Sequence, residues 1–71
     1  MYSLEEITAL LEKGSRLLDK HKENHNLISE VALLRRELQE YKKPENSFKE
    51  MIYLNCEYFA NELKKTISDL K

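Results

Sequence analysis

His21 and His25 come nearest to a chemical motif, because two histidines four residues apart on a continuous helix share a face and can ligate one metal ion. The zinc-protease pattern places its glutamate directly after the first histidine. Here Lys22 follows His21 and the acid, Glu23, comes one place later, so on a helix it points elsewhere. No third ligand stands nearby. Cys56 is the only cysteine and falls on an apolar stripe, whereas a reactive thiolate needs an electropositive, partly exposed setting. The reading is a buried structural cysteine, with no metal and no cofactor. Glu5, Glu6, Glu12, Asp19, Glu57, Glu62 and Asp69 scatter along the chain without the paired setting that acid–base catalysis requires. A single glycine rules out a Gly-rich phosphate loop. Arg35-Arg36 and Lys42-Lys43 are interleaved with Glu37, Glu40 and Glu45, which describes a neutral solvated helix face rather than a nucleic-acid footprint. No active site is found, and the chain is read as not an enzyme.

The elements that would carry these groups are helices. One Gly, one Pro and few Val or Thr leave little turn chemistry for hairpins and little strand propensity. The fold class is all-α. Residues 47–70 form one amphipathic helix: Phe48, Ile52, Cys56, Phe59, Leu63, Ile67 and Leu70 recur at steps of three and four, a stripe roughly 100° wide. Met51, Leu54 and Tyr58 make a second apolar row, turned from the first by about a quarter to a third of a turn at 100° per residue.

At the other end, Ser3 and Glu6 fit a capping box, with Tyr2 and Ile7 as its hydrophobic staple, so a helix starts at Leu4. Its seam is Leu4, Ile7, Leu11, Gly14, Leu18, His21 and His25, widened by Leu10 and Leu17. Gly14 is a point of close approach for another helix. The next seam, Leu27, Val31, Leu34, Leu38 and Tyr41, lies roughly 140° around the helix from the first. Absence of Gly and Pro near residue 25 favours one continuous or kinked helix over 4–42; the phase change favours a break within 22–26, with an Asn as the next N-cap. Continuity is the reading taken, giving an antiparallel helical hairpin with a long first helix; a three-helix arrangement is the alternative. Pro44 ends the pattern, 43–46 is the turn, and Ser47 with Glu50 offers a second capping box. Leu38 and Tyr41 should then lie near Phe48 and Ile52, with Leu27 nearer Leu63.

Seventy-one residues make a single domain, 1–71, and a chain this short hides only about 60% of its unfolded surface. Its own core is marginal, and with one cysteine no internal disulfide can help, so binding or oligomerisation is expected in a reducing compartment. With 35% charged residues and a net charge of −1, neither sign dominates the surface. The longest apolar run is too short for a membrane span, and the N-terminus lacks a signal-peptide layout. A cytoplasmic location follows. Met51, Leu54 and Tyr58 are read as a partner-binding strip, with Leu10 and Leu17 as matching candidates on the first helix; the alternative is that a third helix covers the strip.

Leu33-Leu34-Arg35-Arg36-Glu37-Leu38 before a short polar turn, then a long helix closing on Leu63-Lys64-Lys65-Thr66-Ile67-Ser68-Asp69-Leu70-Lys71, resembles the YscE-like co-chaperones of bacterial type III secretion needle proteins. The resemblance covers mainly Leu27 to Lys71. It implies a bacterial cytoplasmic co-chaperone that pairs with a helical, tetratricopeptide-like chaperone subunit, the pair holding a needle-type secreted protein monomeric until export. A partner subunit would complete its fold. Against it stand a self-associating homodimeric helical bundle of regulatory type, binding RNA or a repressor, and a small immunity or antitoxin protein.

Overall fold

The chain enters its first helix where the capping chemistry directs it. Ser3 Oγ accepts from the Glu6 N–H at 3.1 Å and Glu6 Oε1 accepts from the Ser3 N–H at 3.2 Å, so the box satisfies two otherwise free backbone donors. A computed structural model describes residues 2–70, which form three α-helices: α1 (Leu4–Lys20), α2 (His25–Lys42) and α3 (Lys49–Asp69). Lys71, the last residue of the resembling stretch, lies outside the described residues.

A continuous helix over 4–42 is not formed; the three-helix arrangement is. His21 closes α1 by donating its N–H to Leu17 O at 2.9 Å, and the Asn24 N–H donates to His21 O at 3.0 Å. Asn24 then takes extended backbone angles, and its Oδ1 accepts the Leu27 N–H at 2.9 Å, starting α2. Such an N-cap contributes about 1 kcal/mol. Neither Gly nor Pro is needed. Two seams some 140° apart cannot both face one neighbour on a straight helix, whereas reversing the chain at 21–24 turns both onto one core.

The second connection follows Pro44, with α2 ending at Lys42. Here the expected capping box of Ser47 and Glu50 does not form, and α3 begins at Lys49 with Phe48 as an N-cap lacking any side-chain hydrogen bond. Asn46 competes for the local donors. Its Oδ1 accepts the Phe48 N–H at 2.9 Å while its Nδ2 donates to Glu40 O at 3.4 Å, a local turn of the kind that displaces helix initiation. Lys49 Nζ reaches back to donate to the Tyr41 carbonyl and stands 5.0 Å from the centre of the Tyr41 ring.

α2 and α3 run antiparallel and α1 lies against both. Thr66 meets Glu30 at one end of the hairpin and Tyr53 meets Tyr41, centroids 6.3 Å apart, at the other. The core consists of Ile7, Leu27, Val31, Leu34, Leu38, Ile52, Cys56, Ala60, Leu63 and Ile67. Most of the second expected seam and most of the α3 stripe are in it. Of the first seam Ile7 alone is, with Gly14 also buried, while Leu11, Leu18 and His21 are half-buried and Leu4 and His25 are exposed, because α1 ends at Lys20 and lies over the hairpin by one edge. Ala60, which the pattern of large apolar residues passes over, is fully buried. On the α3 stripe Phe48 is the exposed position, at 67%, rather than in the core. Its φ of −107° and ψ of 37° place it before the first helical turn, where the 100° phase of α3 does not apply. The α1 end is fastened through Tyr2, whose carbonyl accepts from the Tyr53 hydroxyl and whose own hydroxyl donates to Asn61 Oδ1 at 2.9 Å. Arg35 Nη2 donates to Ser15 Oγ at 3.0 Å, tying α2 to α1.

Gly14 is the close-approach point that its place in the seam suggests. A Cβ there would sit 3.0 Å from Leu63 Cδ1 and 3.0 Å from Val31 Cγ2, and both neighbours are buried. Ala in place of Gly gains about 1 kcal/mol of helix propensity, while overpacking a filled core costs about 1–3 kcal/mol. Val31 is stiff at χ1 and gives little, so the clash wins. Gly14→Ala is expected to lower stability by about 1 kcal/mol, read as a fall in the urea midpoint at unchanged slope.

Candidate docking face

The groups with chemical potential resolve first. His21 ends α1 and His25 begins α2, so the turn separates them and the shared helical face that metal ligation would use does not exist. Among the described residues no group of three or more His, Cys, Asp or Glu is placed to hold a metal ion. Cys56 is fully buried; burial pushes its thiol up to about 11, with the negative charge of Glu37 adding to the effect. It is a core side chain rather than a nucleophile. A thiol reagent should therefore modify the native protein more than about tenfold slower than the urea-unfolded chain, because reaction waits on opening of the core; equal rates in the two states would contradict the burial. Lys43 pairs with Glu40 at 3.1 Å on an exposed surface, a contact of little energetic weight. Arg35 is engaged on Ser15, between α2 and α1.

The second apolar row of α3 is where the structure leaves something open. Met51, Leu54 and Tyr58 are 62%, 56% and 59% exposed. The chain does form a third helix, but α1 does not cover them. Its N-terminal end meets α3 at Tyr53, well around the helix from the row, and at Asn61, which shares the row's face but lies beyond its upper end. Phe48 extends the row by one step, and a shallow depression lined by Ser47, Phe48, Glu50, Met51 and Leu54 marks its lower end. A second depression, between α2 and α3, joins Tyr58 and Phe59 to the exposed Leu33, with Glu30 and Glu62 on its wall. Tyr58 and Phe59 meet edge to face, centroids 5.3 Å apart, which orients the exposed phenol.

Leu10 and Leu17 do not belong to this face. Both are half-buried and packed against the core, where α1 uses them to close the bundle. The core takes up one side of each, and the rest of both side chains stays open to solvent on α1, apart from the α3 row. Leu33 and Phe48 take their place beside the row. Leu33 had a signal in the sequence, since its 100° step from Leu34 carries it off the buried seam.

Glu30 is the polar residue that the pattern of scattered acids misses. It stands three after Leu27 and four before Leu34, at the edge of the α2 seam. The Thr66 hydroxyl, 2.9 Å from Glu30 Oε1 and 3.1 Å from Glu62 O, divides its one proton between two acceptors, and Glu30 Oε2 is buried with no hydrogen-bond partner among the described residues. Burial raises the Glu30 pKa above its ordinary 4.5, the Thr66 hydrogen bond opposes this, and the Glu62 charge adds to it. A carboxyl whose folded value is raised binds its proton more readily folded than unfolded. Its contribution is therefore most favourable at acid pH and declines as pH rises from 4.5 through the raised value. Glu30→Gln, which keeps an acceptor for Thr66 and removes the charge, should be at least as stable as the native chain at pH 7 and should flatten this part of the stability–pH curve. Thermal melts from pH 4 to pH 7 measure it.

The chain matches no model of a known protein family, no curated protein and no solved structure. The geometry stands alone. No described helix is long and apolar enough to cross a membrane.

Proposed function

We propose that this chain is a non-enzymatic helical adaptor, a co-chaperone in type, that docks through the outer row of α3 on a partner subunit in the cytoplasm. The observation that carries the reading is the row itself. Met51, Leu54 and Tyr58 remain exposed on one helix, with exposed Phe48 at its N-cap, after the chain's own α1 has closed the core. Large apolar side chains aligned at helical spacing and left in water are the mark of a helix-on-helix interface. Nothing in the core waits for a partner, so the adaptor docks as a folded three-helix unit rather than being completed on binding. The resemblance to needle-protein co-chaperones fits this role, and by it the partner is a tetratricopeptide-like chaperone subunit that in turn holds a needle-type secreted protein.

Light scattering on the purified chain, then on the chain mixed with helical proteins encoded beside it, tests the proposal. The expected result is a stable complex of defined stoichiometry with one of them. A chain that stays monomeric at all concentrations with each of them would sink the adaptor reading. A stable dimer of the chain alone would move it to a self-associating bundle.

A further inference from the structure

We infer that the occupant of this face is a basic amphipathic helix of a second protein, its apolar side chains laid along Phe48, Met51, Leu54 and Tyr58 and a lysine or arginine reaching the depression walled by Glu30 and Glu62. The inference rests on the adaptor reading and adds the chemistry of the partner. From Met51 to Tyr58 the helical part of the row rises about 10 Å, and Phe48 adds to its lower end, so a partner helix of about two to three turns lies along all of it. The charged residues that line the depressions flanking the row have one sign, and the nearest cation on its face, Lys65, lies beyond the upper end. Among the residues lining the two depressions that flank it, Glu30, Glu50 and Glu62 are charged and none is Lys or Arg.

Two of these acids are only partly partnered from within the chain. Glu62 meets Lys65 loosely, at 3.7 Å on an exposed surface, and Glu30 Oε2 is buried without a donor among the described residues. The Glu62 carboxylate, partly exposed at the wall of an open depression that Leu33 and Tyr58 also line, suits a cationic head whose stem lies on the apolar surface, with Glu30 behind it adding negative charge. A second copy of this chain fits less well. In a two-fold interface the same patch faces itself, bringing the three acids of one copy towards the same three of the other. The same charges disfavour nucleic acid and an anionic lipid surface.

The test uses two fluorescein-labelled helix-forming peptides with leucines spaced at three and four residues, one flanked by lysines and one by glutamates, titrated with the folded chain and followed by anisotropy. The lysine peptide should bind at least about tenfold tighter than the glutamate peptide, and its affinity should fall as salt rises. Glu30→Gln with Glu62→Gln should weaken the lysine peptide about three- to tenfold, whereas neutralising Glu5 and Glu12 on the outer side of α1 should leave it unchanged. Circular dichroism of each variant confirms that the fold is kept. Four results overturn the inference. If both peptides bind equally and Leu54→Glu abolishes both, the row docks a helix without charge preference, and the adaptor reading stands while this one falls. If the Glu5 and Glu12 changes weaken binding as much as those at Glu30 and Glu62, the attraction is to net charge and not to this face. If neither peptide binds, the basic-helix occupant is excluded. If the native chain is a dimer that Leu54→Glu makes monomeric, the occupant is a second copy.

Discussion

Leu54→Glu leaves the isolated chain folded and abolishes complex formation; that is the expected outcome at the centre of the outer α3 row. Leu54 is 56% exposed and absent from the core, and Glu is close to Leu in helix propensity, so neither burial nor backbone preference opposes the change. Exposed substitutions of this kind stay within about 0.5 kcal/mol, a shift of roughly 2–4 °C in the melting temperature of a domain this size. Binding is another matter. Against an apolar partner surface the new carboxylate would be desolvated without a counterpart, and central interface positions lose about 2 kcal/mol or more when truncated, with a buried unpaired charge costing further. Affinity should fall by more than about thirtyfold. Circular dichroism and light scattering on the same sample read both halves. Unfolding of the isolated variant would return the row to the core, and undiminished binding would remove the row from the interface.

The largest stability effect is expected at Leu63. It is fully buried, and its two methyl groups fill the space beside Gly14 on α1. Leu63→Ala deletes those methyls opposite a residue that has no side chain to move into the gap, so the cavity collapses poorly, and a cost of about 3–5 kcal/mol is expected within the Leu→Ala range. At roughly 0.05–0.15 kcal/mol per residue, that is a large part of all the stability a chain of this length holds. The melting temperature should drop by more than about 12 °C. The same geometry predicts coupling. Gly14→Ala, harmful alone, should lose part of its cost in the Leu63→Ala background, because the Leu63 methyls its Cβ meets have gone while Val31 remains. A double-mutant cycle by urea denaturation measures it, and additive effects would mean that Gly14 and Leu63 do not share the space described.

Much of the fold is legible in the residues because the chemistry that sets it is local. Ser3 and Glu6 announce one helix start, Pro44 announces the end of another, and the heptad seams identify Ile7, Leu27, Val31, Leu34 and Leu38 as core. The break at 21–24 is harder to read because nothing there forbids a helix. Its signals are the change of seam phase and Asn24 as an available cap, and they prevail because tertiary packing rewards turning both seams inward. Phe48 misleads for the opposite reason. The helical phase is extrapolated one residue past the point where Asn46 has set the backbone. For the docking face, the 100° step that separates Met51, Leu54 and Tyr58 from the core stripe is enough to find the row, since a side chain's angle on a helix follows from its position. Its acidic wall is not found that way, because Glu30 and Glu62 sit on different helices and meet only once the antiparallel register is known.

The closure of the core by α1 has a bearing on how partners are told apart. With Ile7 buried and Gly14 seated between Val31 and Leu63, the hairpin is held before anything docks, and the face on α3 is rigid in advance. All the ordering that accompanies association then falls on the incoming segment. A sequence that already samples a helix in isolation loses less conformational freedom on arrival than one that must be coiled on contact. Selection among segments with equally good apolar faces is thereby decided by their own residual helicity, through alanines, caps and charge order far from any atom of this chain.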